Sequence, residues 1–135
     1  FDTVRFEIRE DAARFEEGSS AYPLIAGFGA CLNLLHEVGL EVIEKRLAEL
    51  NLRLEHGCQS LGAVVTPPVG SRGGSIFVEW TNGTTAKIYD ELEKSGVRAS
   101  LRRDRIRFSP HFYTLDSEID EVLRRLKVYA ERFKA

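Results

Sequence analysis

The sequence predicts an α+β fold: a small, mostly antiparallel sheet covered by helices, in the order α-α-β-β-α-β-β-α. Three observations carry this. Apolar residues recur at helical spacing in two long segments before residue 62 and in one at the end of the chain. Between these lie short runs in which apolar residues alternate, the period of a half-buried strand. With 135 residues, 43% of them hydrophobic and 30% charged, the chain is long enough to bury a core of its own.

Residues 1–22 alternate weakly at Val4, Phe6 and Ile8 and then turn polar, as a lead-in strand and loop would. Pro23 suits a first helical position, and Leu24, Ile25, Phe28, Cys31, Leu32, Leu35 and Val38 follow at helical spacing until Gly39. This helix is apolar nearly all round, so it is expected to bury more than one face. A second helix places Ile43, Leu47, Leu50, Leu54 and Leu61 on one stripe, with Glu and Arg opposite, and should lie on the sheet.

Two strands come next, Ala63 to Pro67 and Ser75 to Trp80, the latter turning Ile76, Val78 and Trp80 to one side. Asn82-Gly83 marks a turn and Thr84 is positioned to cap a short helix carrying Ile88, Tyr89 and Leu92, which Gly96 stops. The runs VRASLR and RIRFS are separated only by Arg103-Asp104, so they predict a hairpin whose turn lacks glycine. A last helix carries Ile119, Val122, Leu123, Leu126 and Phe133.

Charge and chemistry narrow the function. Nineteen Lys and Arg stand against 21 Asp and Glu, a net charge of -2, which supplies no overall basic field for nucleic acid or an anionic membrane. No signal peptide or membrane span is visible, and Cys31 and Cys58 lack metal or redox spacing, reading as buried thiols of a reducing, cytoplasmic setting. His36, His56 and His111 lie far apart, which argues against a metal site. The Gly-rich run Ser71 to Ser75 enters a strand, not a helix, and reads as a connection; adjacent Glu16 and Glu17 cannot face each other across a substrate. The chain has no Met and opens at Phe1, which suggests an internal or C-terminal piece of something longer, or else a processed N-terminus. In RIRFSP, alternation sends Ile106 and Phe108 to the core and Arg105 and Arg107 to the opposite face, where one of them is placed to hold an anion.

The segments RFEEGSSAYPLIAG (Arg14 to Gly27) and RIRFSPHFYTLDSEID (Arg105 to Asp120) resemble two elements of the class V aminotransferase family. These are fold-type I pyridoxal-phosphate enzymes that include cysteine desulfurases, selenocysteine lyases and kynureninase-like enzymes. The intervening elements follow in the order of that family's C-terminal domain, so the resemblance covers nearly the whole chain. It implies that residues 1–22 lead in from a large domain and that 23–135 form the small C-terminal domain. Arg14, Phe15, Glu16 and Gly18 match the RFE-x-G element. Ser19 falls where many members contact the cofactor phosphate of a neighbouring subunit; the alternative is that Ser19 and Ser20 cap the following helix. Arg107 matches the arginine that grips the substrate α-carboxylate, a task for which a planar guanidinium fork is suited and an ammonium is not. Phe112 and Tyr113 either line the mouth of that pocket or belong to the core.

Departures matter as much. The Schiff-base Lys, the pyridine-nitrogen Asp and the ring-stacking side chain of the family have no counterpart here, so no catalytic residue is assigned to this chain. ASLRRDRIRFS holds no nucleophilic Cys of the desulfurase kind, and Thr114-Leu115 replaces the usual Asn-Thr after HFY, a change expected to alter only helix capping. The reading is a small domain of a pyridoxal-phosphate enzyme acting on an amino acid, its partners being its own large domain and a second subunit of a homodimer. The rival is a stand-alone, non-catalytic α+β interaction module in which Arg98, Arg102, Arg103, Arg105 and Arg107 receive an acidic partner.

Overall fold

A computed structural model of the chain describes residues 8–16, 18–66 and 73–134. Val4, Phe6, Glu17 and the start of the Gly-rich connection lie outside the described residues; Ile8 is described and is not in a strand. The chain divides into two compact units, Phe1–Gly39 and Leu40–Ala135.

The first unit holds a single 3-10 turn, Ala12–Phe15, and the helix α1, Tyr22–Val38. Asp11 caps the turn, its carboxylate accepting from the Ala13 N–H at 2.9 Å. In α1, Pro stands in the first turn and Gly39, at φ 91, ends the helix with its N–H on the Leu35 carbonyl. None of the α1 side chains is buried: Leu24, Ile25, Phe28, Leu32 and Leu34 are exposed, and Cys31 is exposed too, against the expectation of a buried thiol. A helix apolar nearly all round has no polar face to give to water, so apolar side chains are left exposed here. No single helix among the described residues is long and apolar enough to cross a membrane.

The second unit is a four-stranded sheet with three helices: α2 (Leu40–Ser60), β1 (Val64–Thr66), β2 (Ile76–Glu79), α3 (Thr85–Lys94), β3 (Ser100–Arg102), β4 (Arg105–Phe108) and α4 (Asp116–Arg132). The strand order is β1-β2-β4-β3, with every neighbouring pair antiparallel. β2, α3 and β3 therefore form a split βαβ unit, with β4 inserted between its two strands. The register sets Phe77 and Ser100 on either side of Arg107, and Val78 and Leu101 on either side of Ile106.

Ile76, Val78, Trp80, Ile106 and Phe108 make the buried face of the sheet, and Leu50, Leu54 and Cys58 of α2, Ile88 and Leu92 of α3, and Ile119, Leu126 and Ala130 of α4 cover it. All three helices of this unit thus sit on one face. Burial pushes the Cys58 thiol up to about 12, leaving it a small apolar group. α2 also buries Asn51 and Glu55, two polar side chains its apolar stripe does not announce; Glu55 accepts from Gln59 Nε2 at 3.2 Å.

Helix ends are closed by backbone geometry. Gly62 and Gly96, at φ 80 and 85, give α2 and α3 matching endings, in which Ala63 N–H reaches the Cys58 carbonyl and Val97 N–H reaches the Leu92 carbonyl. At the start of α3 the Thr84 hydroxyl donates to Asn82 Oδ1 at 2.6 Å and does not cap the helix; Thr85 Oγ1 instead accepts the Trp80 N–H at 2.8 Å. Before α4, Leu115 has no side-chain acceptor to offer, but the Glu118 carboxylate accepts the Leu115 N–H at 2.8 Å, half of a capping box. The run from Val97 is a strand only from Ser100, because Val97 N–H is taken by the α3 ending and its partner strand β4 stops at Phe108, before Ser109-Pro110. The hairpin turn is Arg103-Asp104, as expected, and Arg103 adopts φ 54.

α4 is fastened to α2 by Arg53, whose Nε and a terminal nitrogen donate to the two Asp120 oxygens at 2.9 and 2.7 Å, and by Arg46, which donates to the Thr114 carbonyl and to Asp116. Between these helices Gly57 faces Leu123: a Cβ built at 57 would lie 2.3 Å from a Leu123 methyl carbon. Gly57→Ala is therefore expected to destabilise the domain, the overpacking of about 1–3 kcal/mol exceeding the ~1 kcal/mol gained in helix propensity. In a Leu123→Ala background the same change should turn neutral or stabilising, as urea denaturation of the four species would show. A second expectation concerns acid. Hydrogen bonds from Arg124 and then Arg125 hold the Glu121 carboxyl at about 2, below its ordinary 4.5. Its contribution to stability is thus present above pH 4.5 and lost as pH falls toward 2. Denaturation of Glu121→Gln across that window should show a shallower acid loss than the parent chain.

Candidate functional site

Strand β4 lies inside the sheet, and its alternation puts Arg105 and Arg107 on the face turned away from the helices. They share that face with Phe77 and Glu79 of β2 and Ser100 and Arg102 of β3. The two arginines are not equivalent. Arg105 is exposed and committed: its Nε donates to Glu79 Oε2 at 3.0 Å. Arg107, two residue pairs further from the hairpin turn and flanked by Phe77 and Ser100, is half-buried. Its Nε is sealed from solvent and has no hydrogen-bond partner among the described residues. Among the described residues no acid pairs with it.

An unsatisfied buried donor costs about 1–3 kcal/mol, more on a charged group, so Arg107 is a liability to this unit taken alone. One other described side chain shares the condition: Asn51 Oδ1, on α2 in the helical layer. Only Arg107 couples it with a permanent charge on a helix-free face. A guanidinium on that face is chemically able to meet an anion through its terminal N–H donors.

The segment after β4 is held locally. The Ser109 and Ser75 hydroxyls are 2.9 Å apart and hydrogen-bonded, and the His111 N–H donates to Thr114 Oγ1 at 3.0 Å. The His111 ring stacks on Tyr113 with centroids 4.4 Å apart, and Phe112 meets Tyr113 edge-on. Tyr113 lines a groove of about 480 Å³ together with Arg98, Leu54 and Phe108; Phe112 does not line it and is half-buried. Because Leu54 and Phe108 belong to the core side of the sheet, this groove and Arg107 open on different faces. No alternation signal past the end of a strand tells which face Phe112 and Tyr113 take.

Ser19 belongs to the first unit, exposed in a bend after Gly18. Neither Ser19 nor Ser20 caps α1, whose N-cap is Ala21 with no side-chain hydrogen bond; Ser20 takes part only through its carbonyl, which accepts the Tyr22 N–H at 2.9 Å.

The lysines decide what this chain can offer an attached aldehyde cofactor. Lys45, Lys87, Lys94, Lys127 and Lys134 are all exposed. Lys94 is raised above its ordinary value by its hydrogen bond to Glu91, the reverse of what a nucleophilic amine requires. None of them fits covalent attachment of pyridoxal phosphate.

No family model matches the chain, and no curated protein does. Solved structures do, among them one described as a NIFS-like protein, at a TM-score of 0.77 and 21% sequence identity. This chain shares the fold of part of that protein. The superposition covers 87% of this chain but 36% of that one, so the chain spans well under half the length of its structural neighbour. At such identity the likeness carries the architecture and the element order; roles for side chains have to come from the geometry above.

If Arg107 is kept for a ligand and not for folding, replacing it should relieve the fold. Arg107→Met, which removes the orphaned donor and keeps the stem, is expected to leave stability unchanged or raise it by about 1–2 kcal/mol. Arg105→Met, which breaks an exposed pair with Glu79, should cost no more than about 1 kcal/mol. Thermal or urea unfolding of the two variants beside the parent chain checks the difference in sign.

Proposed function

We propose that this chain is the small domain of a pyridoxal-phosphate-dependent enzyme of the class V aminotransferase type, and that it supplies Arg107 to bind the α-carboxylate of an amino-acid substrate. The observation that carries the reading is the guanidinium of Arg107, half-buried on the sheet face opposite this unit's helices, with a sealed Nε and no acid paired with it among the described residues. The fold shared with a NIFS-like protein supports the class, and the chain's coverage of 36% of that protein agrees with a domain that works beside a larger one.

On this reading the chemistry is divided. The chain holds the substrate by its carboxylate; the cofactor and the group that attaches it belong to the large domain, since no lysine here fits that task. No proton transfer or bond cleavage is assigned to these residues. Ser19, exposed and free of any capping duty, is available to a phosphate, and we assign it to the cofactor phosphate of a neighbouring subunit in a cytoplasmic homodimer. The rival interaction module loses weight because Arg105 is already neutralised by Glu79, leaving Arg98, Arg102 and Arg103 as its exposed cations.

In the full-length enzyme, Arg107→Lys keeps the charge but loses the fork, and is expected to raise KM for the amino acid about 10- to 150-fold, equivalent to ~1.5–3 kcal/mol of charged hydrogen bonding. Arg105→Lys should change it less than about threefold, as befits an exposed pair. Equal effects of the two substitutions would sink the assignment. The chain by itself, mixed with pyridoxal phosphate, should show no saturable aldimine absorbance, and a borohydride-trapped adduct at one lysine would contradict the division of labour.

A further inference from the structure

A cavity of about 490 Å³ opens at the hairpin end of the sheet, on the face that carries Arg107. Phe77 and Glu79 of β2, Arg102 at the end of β3, Arg103 and Asp104 of the turn and Arg105 of β4 line it. Phe77 joins the cavity to Arg107, its partner across the β2–β4 ladder.

The charges on the cavity wall do not cancel. Arg105 donates to Glu79 at 3.0 Å, which settles one cation and one acid. Arg102 and Arg103 are exposed and have no ion pair among the described residues, and neither has Asp104, the remaining acid. The register seats Arg102 directly opposite Arg105 on one face. Like charges so placed disfavour the pairing, and an anion beside them relieves it.

The same register relates Arg102 to Arg107. Ser100 is the partner of Arg107 on β3, so Arg102, two residues further along that strand, is its diagonal neighbour on the same face. Diagonal neighbours in an antiparallel pair have Cβ atoms about 7–8 Å apart, within reach of one another's long side chains. Two guanidiniums on such stems can hold the two ends of one short dicarboxylate. The acids on the wall, Glu79 and Asp104, count against a doubly charged phosphate more heavily than against a singly charged carboxylate.

We propose that the substrate is an amino acid whose side chain itself ends in a carboxylate, and that Arg102 binds that second carboxylate in the hairpin cavity. This rests on Arg107 holding the α-carboxylate, and it makes Arg102 the residue that selects the side chain. Arg103, at the turn and beside Asp104, adds to the field without sharing the strand face.

The test is calorimetric binding of glutamate and aspartate, each beside its uncharged amide, to the full-length protein. At least one acid should bind about tenfold or more tightly than its amide, and added salt should narrow the gap. Arg102→Met should cut that preference about 3- to 10-fold, between the worth of an exposed ion pair and that of a charged hydrogen bond. Arg102→Lys, which keeps the charge, should hold it to within about threefold. A parent protein that favours neither acid, while Arg107→Lys weakens all four ligands, overturns the side-chain assignment and leaves the α-carboxylate clamp standing. A preference that Arg102→Met leaves intact overturns the role of Arg102. Affinities that Arg107→Lys leaves unchanged overturn the clamp itself, and this proposal with it.

Discussion

Much in the larger unit follows from the two-residue period of β4 in a sheet whose own three helices all lie on one side. Ile106 and Phe108 must enter the core that α2, α3 and α4 close over, and the residues between them are then committed to the other face with no choice of rotamer able to bring them back. Because β4 is inserted between β2 and β3, those residues are not at an edge where water would reach them freely. An arginine at position 107 is flanked by a phenylalanine on one side and a serine on the other, and part of its guanidinium is sealed whether or not anything binds there.

That arrangement costs stability, and the unit offsets it elsewhere. The helical layer is cross-fastened by the Arg53–Asp120 fork, the Arg46 bonds to Thr114 and Asp116, and Arg125, which bonds both Glu121 and the Ser95 carbonyl at the end of α3. Gly57 lets α2 approach α4 closely enough that a single methyl group would collide. This helical layer packs on the face of the sheet opposite Arg107. On the reading proposed here, the domain is half of a site: charged, and without the reactive amine.

The sequence spoke clearly where periodicity was strong. The order of elements, the hairpin at Arg103-Asp104, and the core faces of β2, β4, α2 and α4 were all visible in the spacing of Ile, Val, Leu and Phe. Strand order was not, because nothing local says that β4 must separate β2 from β3; that is fixed by long-range pairing. Asn51 and Glu55 were missed since a polar residue in a helix is counted to the solvent side unless its neighbours contradict it. Cys31 was misplaced for the opposite reason: an apolar helix is expected to find cover, and in this chain none of its side chains is fully buried. The difference between Arg105 and Arg107 was anticipated from distance to the strand end, but the physical reason is a partner, Glu79 on β2, which the sequence places 26 residues away and only the register brings opposite Arg105.

The central claim is that the orphaned guanidinium on the helix-free face is a carboxylate seat. The most direct measurement is a crystal structure of the full-length protein with an amino-acid substrate or unreactive analogue bound. The account predicts the α-carboxylate on Arg107, with an oxygen about 2.7–2.9 Å from a terminal guanidinium nitrogen, and Arg105 still on Glu79. A carboxylate seated elsewhere, with Arg107 paired to an acid of another domain, would contradict it.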